Sequence, residues 1–171
     1  MKKLILIILL LSLAGCGFHL RGQQELPPQL HRIYLQSYDP YSPLTKQIRQ
    51  TLHTVGVVIV QQPQAAPVTL QIISEQSGQQ VTGQGVSGQL TTYMLSYTMV
   101  YQLLDTQGRP LQEAQMITTT HYYSIGANQL LGDTQIQQNF QNTMRNEVID
   151  QLLYRLNSEN TRYAVTSRTI K

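Results

Sequence analysis

Few side chains in this sequence have the type and spacing that chemistry needs. Four histidines, His19, His31, His53 and His121, follow the N-terminal leader, and no pair has the HExxH spacing of a helical metal site. His53 falls between Leu52 and Val55 on a helical pattern and reads as a surface or boundary residue. His121 stands beside Tyr122-Tyr123, where packing is the simpler role and a ligand surface the alternative. Ser87 in Gly85-Val86-Ser87-Gly88 lacks the Gly-x-Ser-x-Gly form of a nucleophile elbow. Asp133, Glu147 and Asp150 are the remaining acid–base candidates. Glu147 and Asp150, three apart, are expected on a solvated helix face. No nucleophile–base pair emerges, so the sequence is not that of an enzyme, and it implies no cofactor and no metal.

The one reactive residue of clear purpose is Cys16, the only cysteine in the chain. It is preceded by Met1-Lys2-Lys3, an apolar run from Leu4 to Leu11, and Leu13-Ala14-Gly15. Positive charge, a short apolar core and small residues before a cut site make a secretory signal. The run is shorter than the roughly 20 residues that cross a bilayer. A cysteine at the first mature position looks like a bacterial lipobox. Cys16 is then the lipid-attachment residue, and residues 1–15 are the signal peptide. An ordinary signal with a chance cysteine is the alternative. One acyl chain anchors only marginally at ~0.8 kcal/mol per buried methylene, so stable anchoring takes two or more. Gly17, rather than aspartate, after Cys16 favours the outer membrane.

Once the leader is removed, ten basic residues face nine acidic ones. This near-neutral balance gives no case for nucleic-acid binding. Charged residues make up 12% of the chain, against about 25% in ordinary soluble domains. No Lys or Arg occurs between Arg49 and Arg109. Compositional bias is one explanation. A surface covered by a partner is the other, since interface cores are poor in charge and rich in aromatics.

The elements that must position these residues follow from periodicity. Residues 16–28 read as a lipidated tether ending in Pro27-Pro28. Residues 29–158 read as one domain and residues 159–171 as a loose tail. Arg32–Gln36 is a short strand. Ser42 caps a helix with Pro43 at its first position and Leu44, Ile48, Leu52 and Val55 on one stripe. Val57–Val60 and Val68–Glu75 are apolar runs expected as strands, separate or as one bent strand. Ser77–Gly88, with four glycines, reads as a mobile loop or irregular sheet edge. Tyr93, Leu95, Tyr97, Met99, Tyr101 and Leu103 alternate with Thr92, Ser96, Thr98 and Gln102, the period of a long half-buried strand. Asp105–Gly108 is a hairpin turn and Leu111–Ser124 its partner strand. Ile136, Phe140, Met144, Val148 and Leu152 mark a last long helix starting at Asp133 or Thr134. The expected fold is α+β: two helices packed on one face of a roughly four-stranded sheet, in a single domain.

Cys16-Gly17-Phe18-His19-Leu20-Arg21-Gly22 resembles the lipid-proximal start of the LptE family of LPS-assembly lipoproteins. Asp39-Pro40, Pro43-Leu44, Val55-Gly56-Val57, the tyrosine-bearing strand and the last amphipathic helix fit the same pattern. The resemblance implies an outer-membrane, periplasm-facing lipoprotein without catalysis. It implies a plug within the β-barrel partner LptD, assisting that barrel's assembly and lipopolysaccharide transport to the cell surface. Arg109, at the hairpin turn, is the nearest basic candidate for lipopolysaccharide contact. The rival reading is another periplasmic binding lipoprotein that recognises a peptide, glycan or lipid on the tyrosine-bearing strand. Rings packed under the helices would favour core, and exposed rings a groove.

Overall fold

A computed structural model describes residues 26–85, 90–126 and 133–169. The sheet has five strands rather than four: β1 (Arg32–Ser37), β2 (Val58–Val60), β3 (Val68–Gln84), β4 (Leu90–Leu104) and β5 (Gln115–Gly126), in the order β2-β1-β3-β4-β5. Helix α1 (Pro43–Thr54) joins β1 to β2, and α2 (Asp133–Leu156) and α3 (Glu159–Thr169) follow β5.

The fifth strand arises because the two apolar runs after α1 are separate strands on opposite sides of β1. Both pair with it in parallel, Ile33 with Ile59 and Ile33 with Val68. The parallel β1–β2 pair needs a crossover, which α1 supplies. Ser42 caps α1, its Oγ accepting the Thr45 N–H at 3.0 Å, and Gly56 leaves the helix at φ 84°, a conformation glycine adopts without strain. Strands β3, β4 and β5 then run as an antiparallel meander.

The alternation of β4 sets the layers. Leu95, Tyr97, Met99, Tyr101 and Leu103 are buried beneath the helices with Leu70, Ile72 and Ile117. Leu44, Ile48 and Leu52 of α1 and Met144, Val148, Leu152 and Leu156 of α2 close the same core. Full burial of each such side chain contributes about 1.5–3 kcal/mol. Sheet and helices therefore share one core on one face, as the α+β expectation holds.

Three local expectations are corrected. The glycine-rich segment is not a mobile loop but, as its alternative reading had it, an irregular sheet edge, strand as far as Gln84 and paired with β4; residues 86–88 lie outside the described residues. Its Thr and Val positions and a bulge at Val81/Gly83 accommodate the glycines within the ladder. The tail does not stay loose: α3 docks through Thr161 and Val165, 2% and 0% exposed. Four-residue spacing puts both on one helix face, and the Ser158 hydroxyl donates to Thr161 Oγ1 at 3.2 Å at its start. The domain also begins earlier than residue 29. Leu26 and Leu30 join the core, around a turn fixed by Pro27 and Pro28 and held by His31 Nε2 donating to the Leu26 carbonyl at 3.0 Å.

Candidate interaction surface

The meander carries two unlike faces. On the helix side, the root is apolar, but past the bulge at Ile72/Ser74 the residues of β3 that look toward the helices become Glu75, Ser77 and Gln79. Glu75 accepts a short hydrogen bond from the Tyr97 hydroxyl and a longer one, 3.4 Å, from Tyr38. Burial, and then the Glu75 bond, push the Tyr97 phenol well above its ordinary value of 10.0, so it stays a neutral donor. The Arg145 guanidinium lies 6.0 Å from the Tyr97 ring centre and bonds Asn142 at 3.0 Å.

One turn on, Glu147 of α2 takes the Thr119 hydroxyl and His121 Nε2 at 2.8 Å. The Thr119 bond, then His121, hold its carboxyl below the usual range. Glu147 thus faces β5, which corrects the solvated face expected for it; only Asp150 is exposed. At 100° per residue, position 147 lies about 60° from Met144 on the helix wheel, at the margin of the apolar stripe. The trio has no relay geometry. Thr119 and His121 both spend their bonds on one carboxylate, and a relay needs the hydroxyl on the imidazole. It is a clamp between helix and sheet.

Toward the tip, Gln79 Nε2 donates to the Tyr123 hydroxyl at 3.1 Å and Gln137 Nε2 to Gln79 at 2.9 Å. Tyr93 stacks on Tyr123 at 5.2 Å, and Phe140 lies 5.5 Å from Tyr123. The rings of Tyr97, Tyr101 and Tyr123 are buried. The tyrosines of β4 therefore belong to the core and do not line a groove.

The opposite face is open. Along the meander it presents Ser74, Gln76 and Gln80 from β3, Met94, Ser96, Thr98, Val100 and Gln102 from β4, and Met116, Thr118, Thr120, Tyr122 and Ser124 from β5. None of these is Lys, Arg, Asp, Glu or His. Their hydroxyls and amides bond across strands: Thr92 to Ser124 at 2.9 Å, Thr98 to Thr118 at 3.0 Å, and Gln102 to Gln71. Met116 and Tyr122 are 62% and 63% exposed. This is a broad, uncharged, hydrogen-bonding surface.

Arg109 lies at the opposite end from the β3–β4 tip, in the β4–β5 turn. Its Nε binds Asp105 at 2.8 Å, and Asp105 also accepts the Arg109 and Gln107 amides. The Arg109 amide first, then its side chain, hold the Asp105 carboxyl below its ordinary range. His53 is exposed on the last turn of α1. Cys16, His19, Arg21 and Ser87 lie outside the described residues, as does the side chain of Asp133. Among the described residues, no group of three His, Cys, Asp or Glu could hold a metal, and no helix is long and apolar enough to cross a membrane.

The fold and its surface define a class: a small sheet-and-helix module whose sheet has one helix-covered face and, along the meander, one open, uncharged face. A profile of the LptE lipopolysaccharide-assembly family matches residues 30–156, and the chain belongs to that family. The LPS-assembly lipoprotein LptE of Pectobacterium atrosepticum is 29% identical over 168 residues, which span 96% of this chain and 89% of that protein. The one from Yersinia enterocolitica is 38% identical over 109 residues, 61% of this chain and only 53% of that protein. Among solved structures, an uncharacterized lipoprotein B from Nitrosomonas europaea shares the fold, with TM-score 0.69 at 22% identity, covering 90% of this chain and 95% of that one. The rare lipoprotein B from Shewanella oneidensis does so at TM-score 0.58 and 20% identity, covering 73% and 92%.

Proposed function

We propose that this chain is an outer-membrane lipoprotein, held by lipid on Cys16 and facing the periplasm. Its role is to sit as a plug in the lumen of the β-barrel protein LptD, assist that barrel's assembly and help deliver lipopolysaccharide to the cell surface. Family membership supports the part in lipopolysaccharide assembly. The observation that carries the plug reading is the charge-free open face of β3, β4 and β5. A charge buried against a partner without a counter-charge is costly, whereas hydroxyls and amides can exchange water for the partner's hydrogen bonds. Arg109, with 64% of its side chain exposed, is the candidate phosphate contact, and a lipid A phosphate there would compete with Asp105 for the guanidinium.

Affinity purification of the full chain from detergent-solubilised outer membrane tests the reading. A large β-barrel protein should co-purify, and its absence would end the proposal. The anchor is tested separately: Cys16→Ala should leave a folded domain that is released from the membrane or keeps its signal. Acylated membrane protein from that variant would refute the assignment of Cys16.

A further inference from the structure

The third strand changes neighbours halfway along. From Val68 to Ile72 it lies between β1 and β4, but β1 ends at Ser37, opposite Ile72. From Ser74 to Gln84, β4 is its only partner among the described residues. Two bonds fix which main-chain groups look outward there. The Tyr38 N–H donates to the Ile72 carbonyl at 3.2 Å, so Ile72 turns its groups toward β1. The bulge at Ile72/Ser74 advances the phase by one residue. At the far end the Gly85 N–H donates to the Leu90 carbonyl at 2.8 Å. Counted from either end, antiparallel alternation gives the same result. Ser74, Gln76, Gly78 and Gln80 bond to β4, and the N–H and C=O of Glu75, Ser77, Gln79 and Val81 point away from it.

An exposed edge is a template for another strand, and proteins blunt it with Lys, Pro, bulges or cover. The other edge of the meander is tied down at one point. Arg155 Nη1 donates to the outward carbonyl of Met116 at 2.9 Å, and α2 lies over β5. The β3 edge has no Lys, Arg, Pro or acid from Gln76 to Gln84, and Ser77, Gln79 and Val81 are exposed. Beside it, on the helix side, is a cleft of about 130 Å³ whose lining includes Ser77, Gln79, Gln137 and Gln141 together with the apolar Leu95 and Met144.

We infer that the free β3 edge, Ser77 to Val81, is a strand-addition site taking an extended, uncharged, hydrogen-bonding segment of the barrel partner. The inference rests on the plug reading and adds the contact through which the partner is held. Main-chain bonds supply the attachment. Side chains of the added strand on the helix side meet the amides of Gln79, Gln137 and Gln141, and those on the other side extend the uncharged open face. A charged residue at either place would lose water without gaining a partner.

Amide hydrogen exchange on the wild-type chain, free and bound to the co-purified barrel, tests it. Exchange at Ser77, Gln79 and Val81 should slow at least 100-fold in the complex, while Thr118 and Thr120 on the β5 edge change less than threefold. Unchanged exchange at the β3 edge with the barrel bound would overturn the inference and leave the plug reading standing. Failure of the wild-type chain to retain any barrel would remove both. Protection that rises with concentration of the free chain would make the occupant a second copy, which also overturns it. The double variant Ser77→Pro/Gln79→Pro removes two outward donors without touching the β3–β4 ladder. It should retain at least tenfold less barrel, whereas Ser77→Ala/Gln79→Ala, which keeps both outward N–H groups and loses only side-chain contacts, should retain clearly more than the proline variant. Equal retention by a folded proline variant would refute the inference, and should that variant not fold, the exchange result decides.

Discussion

At the root of the sheet, Leu70, Ile72, Met99, Tyr101 and Ile117 are each at most 1% exposed, sealed by both helices. In the outer half of the same three strands, Gln79 and Val81 are exposed, and hydrogen bonds among Gln79, Gln137 and Tyr123 are added to the ring packing of Tyr93, Tyr123 and Phe140. Strand pairing is continuous across both halves, so the backbone does not make the difference. The root gains its stability from burial and is complete in itself. The outer half mixes buried rings with polar contacts that water can rival, and its open face and free edge lack the charges that keep solitary sheets apart. Two regions of one meander thus differ: one is sealed within the molecule, and the other leaves an uncharged face and edge open.

The comparison can be broken first at the root. Met99→Ala should cost about 2–5 kcal/mol, read as a lower urea midpoint at unchanged m-value. A loss below about 1 kcal/mol would mean the root is not the sealed core described. Ser42→Ala removes the α1 cap and should cost about 1 kcal/mol in the same measurement. Glu147 sharpens the comparison through acid. Its folded carboxyl is more acidic than its ordinary value of 4.5, so its contribution is whole above about that pH. The contribution is lost as pH falls through the lower folded value. Stability of the wild type should therefore drop more steeply below pH 4.5 than that of Glu147→Gln; parallel acid profiles would dismiss the clamp. Its partial exposure makes this effect small. Least visible in stability is Thr120→Lys on the open face, expected within about 0.5 kcal/mol of wild type. Its effect belongs to binding: recovered barrel should fall, because the ammonium would be desolvated. Undiminished recovery would detach the open face from partner contact.

Much of the root was legible from residue type and spacing. Ser42-Pro43 is a cap followed by a proline at the first helical position, and the structure uses both so. The Tyr93–Leu103 alternation and the Met144–Val148–Leu152 stripe name their buried faces directly. Strand order was not legible, because Val57–Val60 and Val68–Ile72 carry the same apolar signal and only the crossover through α1 separates them. The glycines of the outer half left loop and irregular sheet edge both open, since cross-strand pairing with Thr92–Thr98 lies outside any local window. The last helix has one strongly apolar buried residue, Val165, too little for a periodic pattern. For the surface, the scarcity of charge was plain, but not that it gathers on one face. Glu147 and His121, 26 positions apart, could be joined only by the tertiary fold.

The first strand lies inside the sheet, flanked by β2 on one side and β3 on the other. In chain order β1, α1 and β2 precede Val68–Ile72, which must insert beside β1 before the sheet is continuous. Until then one side of β1 is an open slot with Ile33 and Leu35 uncovered. The later meander closes on itself through short hairpins, whereas filling that slot requires pairing across more than 30 residues, from Ile33 to Val68. Contacts so distant in sequence form slowly. Pairing β3 with β1 is therefore expected to be the slow step of folding, and Leu70→Ala, at a side chain fully buried in the core, should slow that step and weaken the finished molecule as well.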